Sequence, residues 1–192
     1  VSIKLLKTSD FKTFLGITGT SEDAVIDLIN ELVSARIQSY CNRIFEDPGT
    51  DVLEYPQGGS SILEPLQFPI SSITFIKEDA QRQFTGSPVD PSLYYQDGKV
   101  IYRTDGSKWL NVPGSIQLVY KGGYTKTAGV LDNVDDTIRE AAFLQMGFIY
   151  QRRRRLDVSN VSGGDGSIQT LERIDLLPEV SKALLPFKRG LV

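Results

Sequence analysis

The 192-residue sequence contains no histidine and only one cysteine, Cys41. Without histidine the chain lacks the commonest general base and metal ligand, which excludes Ser-His, Cys-His and histidine-zinc sites. A single cysteine excludes an intrachain disulfide, and the apolar helical pattern around Cys41 fits a buried structural thiol better than a nucleophile. No hydrophobic run approaches the length of a membrane span. The opening residues VSIKLLKTSDF show neither the apolar core nor the small-residue cleavage site of a signal peptide, so the expectation is a cytoplasmic chain with no membrane partner. Charge of one sign is also scarce: the net value is -3. It divides into about -2 for residues 1 to 50, -1 for 51 to 130 and 0 for 131 to 192. No segment is a dedicated polycation, which argues against strong general DNA binding by a monomer.

What is present, 40% hydrophobic and 23% charged residues, is ordinary for a soluble globular protein of one good-sized domain or two small ones. Thr8 or Ser9 is placed to cap a short helix through Phe14 and Leu15, stopped by Gly16. Thr20 and Asp23 are spaced as a capping box for a longer one. In that second helix Val25, Ile29, Leu32, Val33, Arg36, Ile37, Tyr40 and Ile44 recur at three and four and are expected to face a core. Asp47-Pro48-Gly49 is a turn signal.

Residues 48 to 130 hold seven of the nine prolines and ten of the seventeen glycines, between short β-prone runs. Strands are predicted at Val52 to Tyr55, Ser61 to Glu64, Ile73 to Lys77, Leu93 to Tyr95, Val100 to Arg103 and Ile116 to Tyr120, with Asp97-Gly98 turning the fourth into the fifth. Trp109 is read as a hydrophobic anchor of this region. Gly122-Gly123-Tyr124 closes it, and a polar loop leads on.

The most explicit stretch is LDNVDDTIREAAFLQMGFIYQRRRRL, from Leu131 to Leu156. Asp132 or Asn133 is expected to cap its helix, with Asp135 and Asp136 in the first turn, where the macrodipole favours negative charge. From Ala141 to Tyr150 only Gln145 is polar, so this central helix should be covered on more than one side, which leaves room for cover from a neighbouring copy. Gly147 marks an expected close approach. Arg152, Arg153, Arg154 and Arg155 then complement the negative helix end. Two readings stand for them: a solvated or acid-paired helix end, or contact with nucleic acid phosphates. Val158 to Thr170 is a Ser/Gly-rich polar loop, and Pro178 opens a last helix whose Val180, Ala183 and Leu184 share a face, ended by Pro186.

Apparent chemical motifs dissolve on inspection. Gly122 to Thr127 lacks the ending of a phosphate loop, and Ser9 to Lys12 matches an acyl-enzyme spacing without its companion motifs. Asn160-Val161-Ser162 is a glycosylation sequon without a secretion signal. Asp132, Asp135 and Asp136 are explained by helix-start electrostatics. No catalytic residue, metal ligand or cofactor site is nominated, and the reading is of a protein that is not an enzyme.

The fold class expected is α+β: a helical bundle formed by residues 1-47 and 131-192, with a small antiparallel β-rich domain, 48-130, inserted between the N-terminal and central helices. This order, with Val119-Tyr120-Lys121-Gly122-Gly123-Tyr124 ending the insert and Leu177-Pro178-Glu179-Val180 leading to Leu184-Leu185-Pro186-Phe187-Lys188-Arg189, resembles the head-tail connectors of tailed phages. More narrowly it resembles their adaptor or head-completion proteins, of the DNA-packaging connector family. The resemblance implies a self-assembled ring, commonly dodecameric, in the virion neck after assembly in the host cytoplasm. It implies docking beneath a portal protein, a channel for transient passage of double-stranded DNA, and contact with the next neck or tail component, a stopper or tail terminator. On that footing Phe187, Lys188 and Arg189 are portal-docking candidates, with Leu184 and Leu185 anchoring their helix. Arg152 to Arg155 are candidates for a subunit interface or the DNA channel, and Phe143, Met146, Phe148 and Tyr150 for subunit packing. The alternative is a nucleic-acid-binding module using the Arg152-Arg155 cluster.

Overall fold

A computed structural model describes residues 3-153, 160-162, 168-170 and 175-190 of the protein. The fold is α+β, and its contacts divide into two units: residues 1-37 with 135-186, and residues 38-134 with 187-192.

The first unit is helical. Helix α1 (Thr8–Leu15) ends as its sequence dictates: Gly16 takes a left-handed conformation (φ 67), Ile17 N-H donates to Lys12 O at 2.9 Å and Gly16 N-H to Thr13 O at 3.2 Å, a Schellman closure. Its start differs from expectation. Lys7 occupies the cap position and no side chain caps it; the Thr8 hydroxyl donates instead to Asp27 of helix α2 (Asp23–Cys41). Asp23 likewise turns from its own helix start to pair with Lys12 at 2.6 Å.

The face that α2 buries matches the stripe its periodicity suggested only in part: Ile29, Val33 and Ile37 are buried as expected, but Val25 and Leu32 are not. Ile26, Ile29, Asn30, Val33, Ser34 and Ile37 are buried, while Val25, Leu28 and Leu32 are exposed. The buried polar pair fixes the choice. Asn30 Nδ2 donates to Leu6 O at 2.7 Å, and Ser34 Oγ accepts from Leu5 N-H at 2.9 Å. The segment carrying buried Ile3, Leu5 and Leu6 is thereby satisfied and pinned along this side of the helix.

Helix α3 (Asp136–Arg152) is capped by Asp135, whose carboxylate accepts from Thr137 N-H at 2.9 Å. Asp132 and Asn133 do not cap it: Asp132 accepts from the Thr127 hydroxyl at 2.9 Å, and Asn133 adopts φ 53. Ile138, Ala141, Ala142, Gln145, Met146 and Gly147 form the buried face. Gln145 is satisfied there, accepting from Leu177 N-H at 2.9 Å at the entry to helix α4 (Pro178–Leu184). Gly147 is not a site of close backbone approach; a Cβ there would first meet the Phe14 ring at 4.0 Å.

The second unit is β-rich. Strands β1 (Val52–Glu54), β3 (Ile70–Glu78) and β6 (Ile116–Gly122) form an antiparallel sheet in the order β1-β6-β3. Strands β2 (Ile62–Leu63), β4 (Tyr94–Gln96) and β5 (Ile101–Arg103) form a second in the order β2-β5-β4. The β4-β5 turn is the one its sequence announced: Gly98 has φ 87 and Asp97 Oδ1 accepts from Lys99 and Val100 N-H at 2.8 and 3.0 Å. Leu63, Ile76, Ile101, Trp109, Ile116, Leu118 and Tyr120 make one core shared by both sheets, so Trp109 is a packed anchor. The region expected as a polar loop before α3 holds a hairpin of β7 (Lys126–Thr127) and β8 (Val130–Leu131). Within the Ser/Gly-rich stretch, strands β9 (Asn160–Ser162) and β10 (Ile168–Thr170) pair antiparallel.

Candidate functional site

The C-terminal candidates separate by environment. Leu184 and Phe187 are buried, Phe187 to 4% exposure, whereas Leu185 is 56% exposed and Lys188 is exposed. The Phe187 ring lies edge-on to Phe68 at 5.8 Å between centroids, and Phe68 in turn meets Phe45 at 6.0 Å and Tyr124 at 6.1 Å. Lys99 Nζ sits 5.0 Å above the Phe187 ring. The backbone is held as firmly. Buried Arg43 donates through Nε to Phe187 O at 3.2 Å, and through Nη1 to Pro65 O at 2.8 Å and Lys99 O at 3.1 Å. Burial pulls the pKa of that guanidinium below the ordinary arginine value, and three carbonyl acceptors are the compensation such a buried cation requires.

Arg189 is drawn in by a second hub. Its guanidinium pairs with Glu54 at 3.2 Å, while Glu54 also accepts from Tyr120 Oη at 2.8 Å and Leu66 N-H at 2.8 Å. Burial, with Glu54 beside it, raises the Tyr120 pKa, which keeps the phenol a donor. Arg189 N-H donates to Cys41 O at 2.8 Å and Gly190 N-H to Glu64 at 2.6 Å. Lys188 points its ammonium over Tyr40 at 4.8 Å. The segment after Pro186 is therefore bound in cis by the β-rich unit, with Arg43 and Glu54 as its two polar clamps.

In the helical unit, the subunit-packing candidates also part company. Met146 is fully buried within its own chain. Phe143 and Tyr150 are half-buried around Phe11, at 6.4 and 6.0 Å between centroids; Phe148 carries Arg152 above its ring at 4.9 Å. Arg153 is folded back as well, 3.8 Å from the Tyr150 centroid and 2.6 Å from Glu22. Arg154 and Arg155 lie outside the described residues. Phe14, 58% exposed, with Phe143 and Leu144 walls a groove of about 420 Å³ rimmed by Asp136, Arg139 and Glu140.

The sequence reading missed Arg43 and Glu54, the residues that hold the tail, and the outward Val25-Leu28-Leu32 row of α2. Only the last left a signal, its own three-and-four spacing. Among the described residues no group of three or more histidine, cysteine or acidic side chains is arranged to hold a metal ion, and no helix is long and apolar enough to cross a membrane.

No curated protein matches the chain. Among solved structures, a chain of the virion of a native gene transfer agent particle aligns over 98% of this chain and 91% of its own at 15% identity, with a TM-score of 0.50. A chain from the neck of an empty gene transfer agent particle, computed with C6 symmetry, aligns over the same shares at 15% identity and a TM-score of 0.48. One from the neck of the native particle, computed with C12 symmetry, aligns over 100% and 97% at 11% identity and 0.49. At these identities the likeness is one of fold. The family model described as head completion protein matches residues 4–189, spanning both units and reaching Arg189 in the clamped tail, and the chain belongs to that family.

Proposed function

We propose that this protein is a structural adaptor of a phage-type neck: a ring that docks beneath the portal, extends the DNA channel, and offers a surface to the next neck or tail component. The observation that carries the reading is the family match across both units. Its support from the chemistry is that large apolar side chains stand exposed on both units, Phe14, Leu28, Leu32 and Leu144 on helices and Leu53, Tyr55, Ile62 and Tyr95 in the β-rich unit, the kind of side chain that protein contacts cover. Residues 1-47 and 131-192 are taken as the connector domain and 48-130 as its insert.

The C-terminal candidates divide their work in this account. Phe187 and Arg189 are the anchors of the tail, and Leu184 anchors its helix, while Leu185 and Lys188 present an apolar and a cationic group to the portal. Arg152 and Arg153 act inside the subunit, through Phe148, Tyr150 and Glu22, which engages two of the cluster's four cations and so weakens the nucleic-acid-binding alternative. Co-sedimentation with assembled portal tests the division. Leu185→Ala with Lys188→Ala should weaken portal binding while lowering Tm by no more than about 2 to 4 °C; unchanged binding removes these residues from the docking surface. A steep salt dependence of DNA binding by the isolated chain would favour the alternative.

A further inference from the structure

Residues 187 to 190 are held as a domain holds a peptide, by side chain and backbone together. The Phe187 ring enters an aromatic cluster, edge-on to Phe68 at 5.8 Å, and its carbonyl accepts from Arg43 Nε at 3.2 Å. Arg189 gives its guanidinium to Glu54 at 3.2 Å and its N-H to Cys41 O at 2.8 Å. Gly190 N-H donates to Glu64 at 2.6 Å, and a Cβ at that position would stand 3.3 Å from the Glu64 carboxylate, which favours the smallest residue there. Each of these groups belongs to the β-rich unit.

The receiving side is oriented by contacts that do not involve the tail. Arg43 is fixed by Pro65 O at 2.8 Å and Lys99 O at 3.1 Å. Glu54 is fixed by Tyr120 Oη and Leu66 N-H, both at 2.8 Å. Phe68 packs on Phe45 and Tyr124, which also meet each other at 6.4 Å. A receptor set in advance loses little freedom when its ligand arrives, so binding does not depend on the covalent link through Pro186. We propose that the β-rich unit carries a peptide-recognition site for a segment with an aromatic residue two positions before an arginine and a small residue after it, and that the chain's own tail is the resident ligand. Attachment gives the tail a local concentration on the order of mM. It therefore excludes a segment of another protein with the same residues until its own anchors are weakened, an autoinhibitory contact. Neither a ring nor a portal is needed for this binding.

Fluorescence anisotropy of a labelled peptide spanning Leu185 to Gly190 tests the site on full-length chains. The unsubstituted protein should bind the peptide weakly. Arg189→Ala, which loses the Glu54 pair, and Phe187→Ala, which removes the ring from the cluster, should each bind it at least about tenfold more tightly, and the peptide should raise the Tm of both. Peptides carrying Phe187→Ala or Arg189→Ala should bind those chains at least about tenfold more weakly than the unsubstituted peptide. Equal affinity for all three chains would overturn the proposal, because the tail would then not occupy the site. So would equal binding of the altered peptides, or no binding to the folded Arg189→Ala chain at about 1 mM peptide. Phe187→Ala is the more destabilising change, and where it fails to fold the Arg189→Ala chain decides.

Discussion

Phe187→Ala separates the two roles of the C-terminal segment. The ring is 4% exposed and packs on Phe68 and beneath Lys99. Truncating a buried phenylalanine costs about 3 to 5 kcal/mol in lost transfer energy and residual cavity. The low end of that range, about 3 kcal/mol, is taken as the expectation here. For a chain of this length each kcal/mol corresponds to about 2 to 4 °C in Tm, hence a fall of about 6 to 12 °C. Near-UV circular dichroism during thermal melting is the assay, because Phe68, Tyr124 and Phe45 report on the same cluster. Leu185→Ala is the control: its side chain is half in water, and its effect should stay within about 0.5 kcal/mol. If Phe187→Ala melts with the unsubstituted protein, the tail is not clamped as described. If it melts early, loss of portal binding by this variant cannot be taken as loss of a portal contact, and the docking question passes to Leu185 and Lys188.

Burial pushes the Cys41 thiol up to about 12, against the opposing pull of Arg43 and Lys188; a chromogenic disulfide reagent at pH 8 should leave the native protein nearly unlabelled and react stoichiometrically in denaturant. Arg153→Gln removes both the Glu22 pair and the cation above Tyr150 and should cost about 1 kcal/mol in denaturant unfolding; a variant of unchanged stability would return Arg153 to the pool of residues available to a partner. Four carboxylates of the β-rich unit have pKa values held below the ordinary range: Asp79 chiefly by Phe84 N-H, Asp90 by Ser92 N-H, Asp105 by the Ser107 hydroxyl, and Asp97, against the opposing effect of its desolvation, by Val100 and Lys99 N-H. A group depressed in the folded state contributes fully above its unfolded pKa, about 3.9, and loses that contribution as pH falls through the folded value. The β-rich unit should therefore weaken on acidification below about pH 4, with a shallower decline in Asp79→Asn measured by amide exchange over residues 79 to 84.

The parts of the fold written locally were legible. All six predicted strands of the proline- and glycine-rich region form, because short runs of β-branched, aromatic and other apolar residues between turn formers leave little else for the chain to do. Helix α2 shows where periodicity stops informing. Val25 and Ile26, Leu28 and Ile29, and Leu32 and Val33 are adjacent apolar pairs, so two faces about 100° apart fit the same spacing. The buried partners of Asn30 and Ser34, the carbonyl of Leu6 and the amide of Leu5, decide between them. Asp132, Asn133, Asp135 and Asp136 offered competing helix starts, and the hydrogen bond of Asp132 to Thr127 removed it from the choice. The clamping of Phe187 by Arg43 joins residues 144 apart, and nothing in either neighbourhood announces the other. An arginine beside a cysteine near the end of a helix reads as solvent-facing until its three carbonyls are in view.

The central claim is that the chain forms a ring on the portal, and electron microscopy of portal alone beside portal mixed with this protein tests it most directly. An added ring of density at the portal's tail-facing end, with the tail segment nearest the contact, is the predicted result. Portal particles identical with and without the folded chain would contradict the account.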